Sequence, residues 1–172
     1  MKRWPLSHYH PVGTTDSEHA FCWLLGELRS CFDRMPGERT LCRAIEELFQ
    51  SLAALGTFNA LLSDGTRLYA SCSSRLVWLT RRAPFGPARL VDDDMEVDFA
   101  KETTPDDVVT VLATRPLTSD EQWHPVERDT LAVFRDGERI AFDADGSGGA
   151  ASAGTRAPDG HFVEAGRLSR VR

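Results

Sequence analysis

The chain lacks the features of a membrane, secreted or nucleic-acid-binding protein. No apolar run reaches the length of a membrane span, and the basic residues at the start are not followed by the apolar segment of a secretory signal. The formal net charge of −6 argues against the basic face that binding to a nucleic-acid backbone requires. These absences predict a cytoplasmic protein that contacts neither nucleic acid nor membrane.

Cysteine is also scarce and shows no Cys-x-x-Cys pairing. The four cysteines are Cys22, Cys31, Cys42 and Cys72. Their spacing fits neither a disulfide framework nor a zinc ribbon, so we expect reduced thiols that pack as small apolar groups. His8 and His10 form a His-x-His pair, but the sequence suggests no further ligands for zinc. We therefore predict no metal site and no cofactor.

The composition that remains is that of one ordinary soluble domain. The chain has 172 residues, of which 41% are hydrophobic and 27% are charged, which is enough for a sizeable core. After Asp143 the sequence becomes rich in glycine, alanine and serine and has little to bury. We therefore predict a domain over residues 1–143 and a flexible, disordered tail over residues 144–172.

Two segments near the start of the chain carry apolar residues at helical spacing. The first stripe comprises Phe21, Leu24, Leu25, Leu28 and Phe32. The second stripe comprises Leu41, Ile45, Leu48, Leu52 and Leu55. Steps of three and four predict two amphipathic helices, and the Met-Pro-Gly break between them predicts an antiparallel pair in one layer.

From residue 57 onward the apolar pattern changes to the period of two that is typical of strands. Asp-Gly pairs at residues 64–65 and 136–137 each separate two apolar runs, which predicts two hairpins. Continuous apolar runs at residues 76–79 and 108–113 predict strands buried on both faces, and alternation over residues 95–99 predicts a strand with one wet face. Two helices followed by largely antiparallel strands indicate the α+β class.

The most informative segment is residues 13–18, Gly-Thr-Thr-Asp-Ser-Glu, which precedes the first helix. Thr15 and Glu18 fit a capping box, in which a hydroxyl is followed three residues later by a carboxylate. Asp16 lies in the first turn, where exposed backbone N–H groups and the helix dipole stabilise a carboxylate. A structural role is therefore sufficient to explain Asp16 from spacing alone.

These residues also resemble the glutamine-pocket helix of class II glutamine amidotransferases. Residues 58–65 resemble the central hairpin of that family, and residues 79–86, 104–109 and 113–118 are similar to one bacterial branch of it. The branch includes relatives that hydrolyse γ-glutamyl bonds in thiol peptides. The resemblance implies the N-terminal-nucleophile hydrolase fold, of which this chain forms a partial αββα sandwich. It also implies that Asp16 binds the α-amino group of a glutamine or γ-glutamyl substrate.

The catalytic residues of that family have no counterpart in this sequence. The family uses an N-terminal cysteine as nucleophile, an arginine loop for the substrate carboxylate and an Asn-Gly pair for the oxyanion, and the matching region would precede Met1. We therefore expect residues 1–143 to be the C-terminal portion of such a domain, with no catalytic residue of their own. Three alternatives stay open: a truncated amidotransferase, a non-catalytic binding or scaffold remnant, and one half of a split γ-glutamyl hydrolase. The partner is then a complementing N-terminal half or a second copy of the chain.

Overall fold

The computed structural model describes residues 4–92, 96–99 and 104–141. The predicted tail, residues 144–172, lies outside the described residues, as do Met95 and Phe142, which the sequence pattern assigns to strands. Both predicted helices are present: α1 spans Asp16–Cys31 and α2 spans Glu38–Ala53. None of the helices in the described ranges combines the length and the apolar character needed to cross a membrane.

Helix α2 follows its sequence pattern closely. Leu41, Ile45, Leu48 and Leu52 are all buried, as the spacing predicts. Leu55 was expected in the same stripe, but the helix ends before it and the side chain is 43% exposed.

The apolar stripe predicted for α1 is partly wrong. Phe21 is 49% exposed, whereas Cys22, Leu24 and Gly26 are buried. The reason is that the segment before the helix lies against α1. A Cβ placed on Gly26 would come within 3.0 Å of the Ser7 hydroxyl oxygen, so this segment covers a side of the helix that the spacing leaves outside.

The described residues after the helices contain nine short strands. They are β1 Ala60–Ser63, β2 Leu68–Ser71, β3 Val77–Arg82, β4 Pro87–Arg89, β5 Glu96–Asp98, β6 Val108–Ala113, β7 His124–Pro125, β8 Leu131–Arg135 and β9 Glu138–Ile140. They form a four-stranded sheet in the order β1-β2-β8-β9, a three-stranded sheet in the order β6-β3-β7, and the pair β4-β5. Every strand pair is antiparallel, as predicted.

Both predicted hairpins are confirmed. Gly65, between β1 and β2, has a φ of 86°, and Asp136 and Gly137, between β8 and β9, have φ of 51° and 75°. Two successive positive φ values belong to the type I′ turn, whose twist suits a two-residue hairpin and explains the Asp-Gly pair. The β4-β5 pair is an additional hairpin that the sequence analysis did not identify.

The elements stack in layers, and the four-stranded sheet lies in the middle. One face of this sheet contributes Tyr69, Leu131 and Val133 to a core with both helices. The other face contributes Ala70, Ala132 and Phe134 to a second core, against which Trp78 and Leu112 of the three-stranded sheet pack. A helix layer, a four-stranded sheet and a three-stranded sheet therefore form an α+β fold, as the sequence predicts.

Candidate functional site

The loop before α1 is fixed by the predicted capping residues. Thr15 is the N-cap, and its hydroxyl oxygen accepts a hydrogen bond from the Glu18 backbone N–H at 3.3 Å. The Glu18 carboxylate reaches back to accept from the backbone N–H groups of Val12 and Gly13, at 2.7 and 2.8 Å. A Cβ on Gly13 would lie 2.6 Å from a Glu18 carboxylate oxygen, so glycine permits this close approach. The capping box is confirmed, with Glu18 contacting residues further upstream than its usual partner.

The chain that leads into this loop is held on α1 by aromatic and polar contacts. The rings of Trp4 and Trp23 lie with their centroids 3.9 Å apart. His19 Nε2 donates a hydrogen bond to the backbone carbonyl of Trp4 at 3.0 Å. These contacts place two tryptophans and a histidine beside the start of α1. The sequence analysis missed all three, because residues 4 and 23 come together only when the upstream segment folds back on the helix.

A cleft of about 220 Å³ lies at this end of α1. Its walls are the upstream segment, the first turns of α1 and the connection from α2 to β1. They include Trp4, Asp16, Ser17, Trp23, Phe58 and Asn59. Apolar walls with a few polar groups are typical of small-molecule sites in proteins.

The wall opposite α1 is fixed by the loop that follows β2. Asn59 Oδ1 accepts hydrogen bonds from the backbone N–H groups of Ser73 and Ser74, at 3.0 and 3.2 Å, and its Nδ2 donates to the carbonyl of Arg75 at 3.0 Å. The Phe58 backbone N–H donates to the Ser73 hydroxyl at 2.6 Å. Asn59 thus ties one wall of the cleft to the four-stranded sheet, and this role has no signal in the local sequence.

Asp16 is the one residue that the sequence analysis singles out, and it lines this cleft. One carboxylate oxygen accepts from the Ser17 backbone N–H at 2.9 Å, which is a contact within the first helical turn. Among the described residues Asp16 takes part in no ion pair. An exposed carboxylate at the wall of an aromatic cleft is suited to bind a cationic amine by a charge-assisted hydrogen bond.

The cysteines are placed as structural thiols. All four are free; Cys22, Cys42 and Cys72 are buried and Cys31 is exposed. Partial desolvation, together with nearby carboxylates, raises the pKa of the Cys31 and Cys42 thiols. A cysteine nucleophile needs a lowered pKa, so neither thiol has the environment of a catalytic one. In the part of the chain that the structure describes, no three histidine, cysteine or carboxylate side chains are grouped to hold a metal ion.

The arginines of β3 pair with glutamates that are distant in the sequence. Arg81 forms a two-pronged ion pair with Glu121, at 2.7 and 2.5 Å. Arg82 pairs in the same way with Glu138. The Arg81 side chain lowers the pKa of Glu121 by hydrogen bonding to its carboxylate. Both partners lie more than thirty residues away, so local spacing could not identify them.

The comparisons with known proteins identify the family. The sequence model described as "Glutamine amidotransferases class-II" matches residues 2–154. The Escherichia coli (strain K12) relative YafJ is 49% identical over 134 residues, which cover 77% of this chain and 52% of that protein. A Haemophilus influenzae relative is 40% identical over 131 residues, covering 76% of this chain and 45% of that protein. The names of both include glutamine amidotransferase, and neither names an acceptor substrate.

A solved structure shows the same fold. The crystal structure of a "predicted glutamine amidotransferase" from Pseudomonas aeruginosa PA01 superposes with a TM-score of 0.71 at 47% identity. The match covers 82% of this chain and 55% of the Pseudomonas chain. The present chain therefore spans about half the length of the relatives that it matches.

Proposed function

The chain belongs to the class II glutamine amidotransferases, and we propose that it binds glutamine or a related γ-glutamyl compound through Asp16. In this proposal residues 1–143 are the C-terminal portion of an N-terminal-nucleophile hydrolase domain, and residues 144–172 are a tail. The observation that carries it is the Asp16 carboxylate on the wall of the 220 Å³ cleft, where it has no ion-pair partner among the described residues.

The chemistry of the cleft supports this role. A free α-amino acid carries an ammonium group, and a fixed carboxylate selects that cation over a neutral amide. The loop that carries Asp16 is held by Glu18 through two backbone N–H groups. Asp16 is therefore on a rigid support, which favours selective binding.

In this proposal, catalysis requires residues that a complementing portion provides. Amide hydrolysis by the family begins with attack of a cysteine thiolate on the γ-amide carbon, which releases ammonia or an amine and leaves a thioester that water hydrolyses to glutamate. Neither Cys31 nor Cys42 is suited to this attack, because the pKa of each thiol is raised. In this proposal the 172 residues alone are inactive, and a complementing portion supplies the nucleophile in the cytoplasm. The two alternatives make different predictions for the chain bound to its complementing portion. A split γ-glutamyl hydrolase would hydrolyse substrate in that complex, whereas a scaffold remnant would not.

The test is the substitution Asp16→Asn in the chain complemented with the amino-terminal portion of the E. coli relative. Asparagine keeps the shape and the ability to accept at a helix start, but it removes the charge that faces an ammonium group. We expect kcat/KM for a γ-glutamyl substrate to fall about ten- to a hundredfold, since a hydrogen bond to a charged group contributes about 1.5–3 kcal/mol. Asp33→Asn, which neutralises an exposed carboxylate beyond the end of α1, is the matched control.

The Asp16 proposal fails if kcat/KM stays level while thermal stability drops. Asp16 would then be a helix-capping residue and nothing more. A complex that binds glutamine but shows no turnover, with binding lost on Asp16→Asn, would favour the scaffold alternative.

A further inference from the structure

Strand β3, in the centre of the three-stranded sheet, has one edge that is only partly paired. β3 pairs with β6 along its whole length, from Val77 to Arg82. On the other side, β7 pairs with β3 only at Val77 and Trp78. Among the described residues, no strand therefore lies beside residues 79–82 on the β7 side.

The hydrogen bonds at the two ends of β3 show which backbone groups face this open edge. The Ala83 N–H donates to the Asp107 carbonyl on the β6 side, and the Leu76 carbonyl accepts from the Val126 N–H on the opposite side, both at 2.9 Å. Successive residues of a strand direct their backbone groups to opposite edges of the strand. The N–H and C=O groups of Thr80 and Arg82 therefore point to the open edge, where a further strand can bind them.

This edge borders a cleft of about 580 Å³, which we call the β3 groove. Its walls include β3 itself, Pro84, Phe85, Gln122 and Arg139. Glu121 and Glu138 balance the charges of Arg81 and Arg82, which leaves Arg139, over the Trp78 ring, as the remaining arginine of the lining. The buried indole N–H of Trp78, another lining residue, has no hydrogen-bond partner among the described residues.

The outer edge of β6 differs, because the structure already covers part of it. A Cβ on Gly137 would lie 2.1 Å from the carbonyl oxygen of Val108, so the turn between β8 and β9 packs directly on that end of β6. The Thr110 hydroxyl also donates to the Gly137 carbonyl at 2.6 Å. Within the described ranges, space and unpaired backbone groups therefore occur together at the β3 groove.

We propose that the β3 groove binds an extended segment of about four residues, which adds as a strand at Thr80 and Arg82. The occupant is a segment of the complementing portion of the amidotransferase domain, and its identity rests on the proposed function above. The solved Pseudomonas relative is matched over only 55% of its length, so that protein has further chain to which no residue here corresponds.

Arg82→Pro tests the proposal in the full chain. Proline removes the N–H that faces the groove but leaves the ladder to β6 intact, because that N–H does not face β6. Arg82→Ala is the matched control, since it removes the same ion pair with Glu138 and keeps the N–H. Leu61→Pro is the second control. The Asp64 N–H donates to the Arg67 carbonyl, on the side of β1 that faces β2. Because backbone groups alternate along a strand, the Leu61 N–H faces the outer edge of β1 and not β2.

The probe is the portion of the E. coli relative that this chain does not match, produced as a separate fluorescent polypeptide. We expect fluorescence anisotropy to give a Kd about tenfold or more weaker for Arg82→Pro than for Arg82→Ala. Leu61→Pro should bind as the unsubstituted chain does. A second measurement uses the unsubstituted chain. Its Thr80 and Arg82 amides should exchange hydrogen more slowly once the probe is added.

Equal affinities of Arg82→Pro and Arg82→Ala, unchanged exchange at Thr80 and Arg82, or no binding of the probe would overturn the proposal. The proposal would also be overturned if Leu61→Pro alone lost binding to the probe. Self-association of the chain that Arg82→Pro abolishes would instead assign the groove to a second copy and overturn it too. Failure of the proposed function gives a different result. If probe binding depends on the Arg82 N–H but turnover is unchanged by Asp16→Asn, strand docking is supported and the role of Asp16 is not.

Discussion

The two sheets differ in how completely they are covered. The four-stranded sheet is packed on both faces: Tyr69 and Val133 are 0% and 1% exposed against the helices, and Ala132 is 2% exposed on the other side. The three-stranded sheet is less completely covered, although Leu79 on its outer face is only 8% exposed. On its outer face Val109 is 44% exposed, and part of the β3 edge has no strand beside it among the described residues.

This difference indicates a division of roles. Apolar burial around the four-stranded sheet provides most of the stabilisation, because the free energy gained scales with the apolar area removed from water. The three-stranded sheet gains less from burial and leaves backbone groups and apolar area for association. The Asp16 cleft lies on the well-packed side, so the two proposed roles, ligand binding and strand docking, fall on different layers.

The largest expected effect comes from completing the less covered sheet. The chain alone should release no glutamate from glutamine or from a γ-glutamyl anilide above a blank, whereas the complemented chain should be faster by about 10⁶-fold, the usual cost of losing a covalent nucleophile. Glutamate release measures both rates. Turnover by the chain alone that disappears on substituting one of its four cysteines would contradict the prediction.

The contact between the two sheets can be tested at the turn from β8 to β9. Gly137→Ala should lower the free energy of unfolding by roughly 2–4 kcal/mol, since a Cβ would collide with the Val108 carbonyl and a positive φ disfavours alanine. Gly65→Ala is the matched control, with a φ of 86° and open space around it. That control should lose only about 1 kcal/mol in urea unfolding. Equal losses would show that the close approach to Val108 is unimportant.

A pair of identical substitutions compares the packing of the two sheets directly. Val133→Ala, in the centre of the four-stranded sheet, should cost about 2 kcal/mol because it removes two buried carbon groups. Val109→Ala, on the outer face of β6, should change the free energy of unfolding by less than about 0.5 kcal/mol. Thermal unfolding of both variants gives the comparison. A larger loss for Val109→Ala would mean that its face is covered in solution.

The last prediction concerns a pH-dependent change in stability at the hairpin between β1 and β2. There, hydrogen-bond donors surround the Asp64 carboxylate. Burial alone would raise the pKa of Asp64, but the backbone N–H groups of Arg67 and Thr66 and the Tyr69 hydroxyl outweigh it and lower the pKa to about 2. Because the folded-state pKa lies below the ordinary value of 3.8, Asp64 stabilises the fold above about pH 4 and this stabilisation is lost as the pH falls towards 2.

We therefore expect Asp64→Asn to cost roughly 1–2 kcal/mol at pH 7 and little at pH 2, with partial exposure of the site reducing the value. Urea unfolding across this pH range measures the difference. A cost that is independent of pH would assign the effect to shape and not to charge.

Much of the fold could be predicted from the sequence, because its signals are local. Helix α2 places Leu41, Ile45 and Leu48 on one side through spacing alone, and the Asp-Gly pairs determine where two hairpins turn. A helix cap also needs only residues within one turn, so Thr15 and Glu18 were identified correctly. The exposure of Phe21 could not be predicted in this way, since a distant segment decides which side of α1 is covered.

The sequence by itself determined the two helices, the order of the hairpins and the position of Asp16 at a helix start. Only the tertiary structure decided that Trp4 packs against Trp23, that Asn59 holds the opposite wall of the cleft and that Arg81 pairs with Glu121. It also decided that β7 covers only two residues of β3. The physical reason is that periodicity and turn chemistry act over a few residues, whereas a cleft and a sheet edge are formed by groups that only the packed chain brings together.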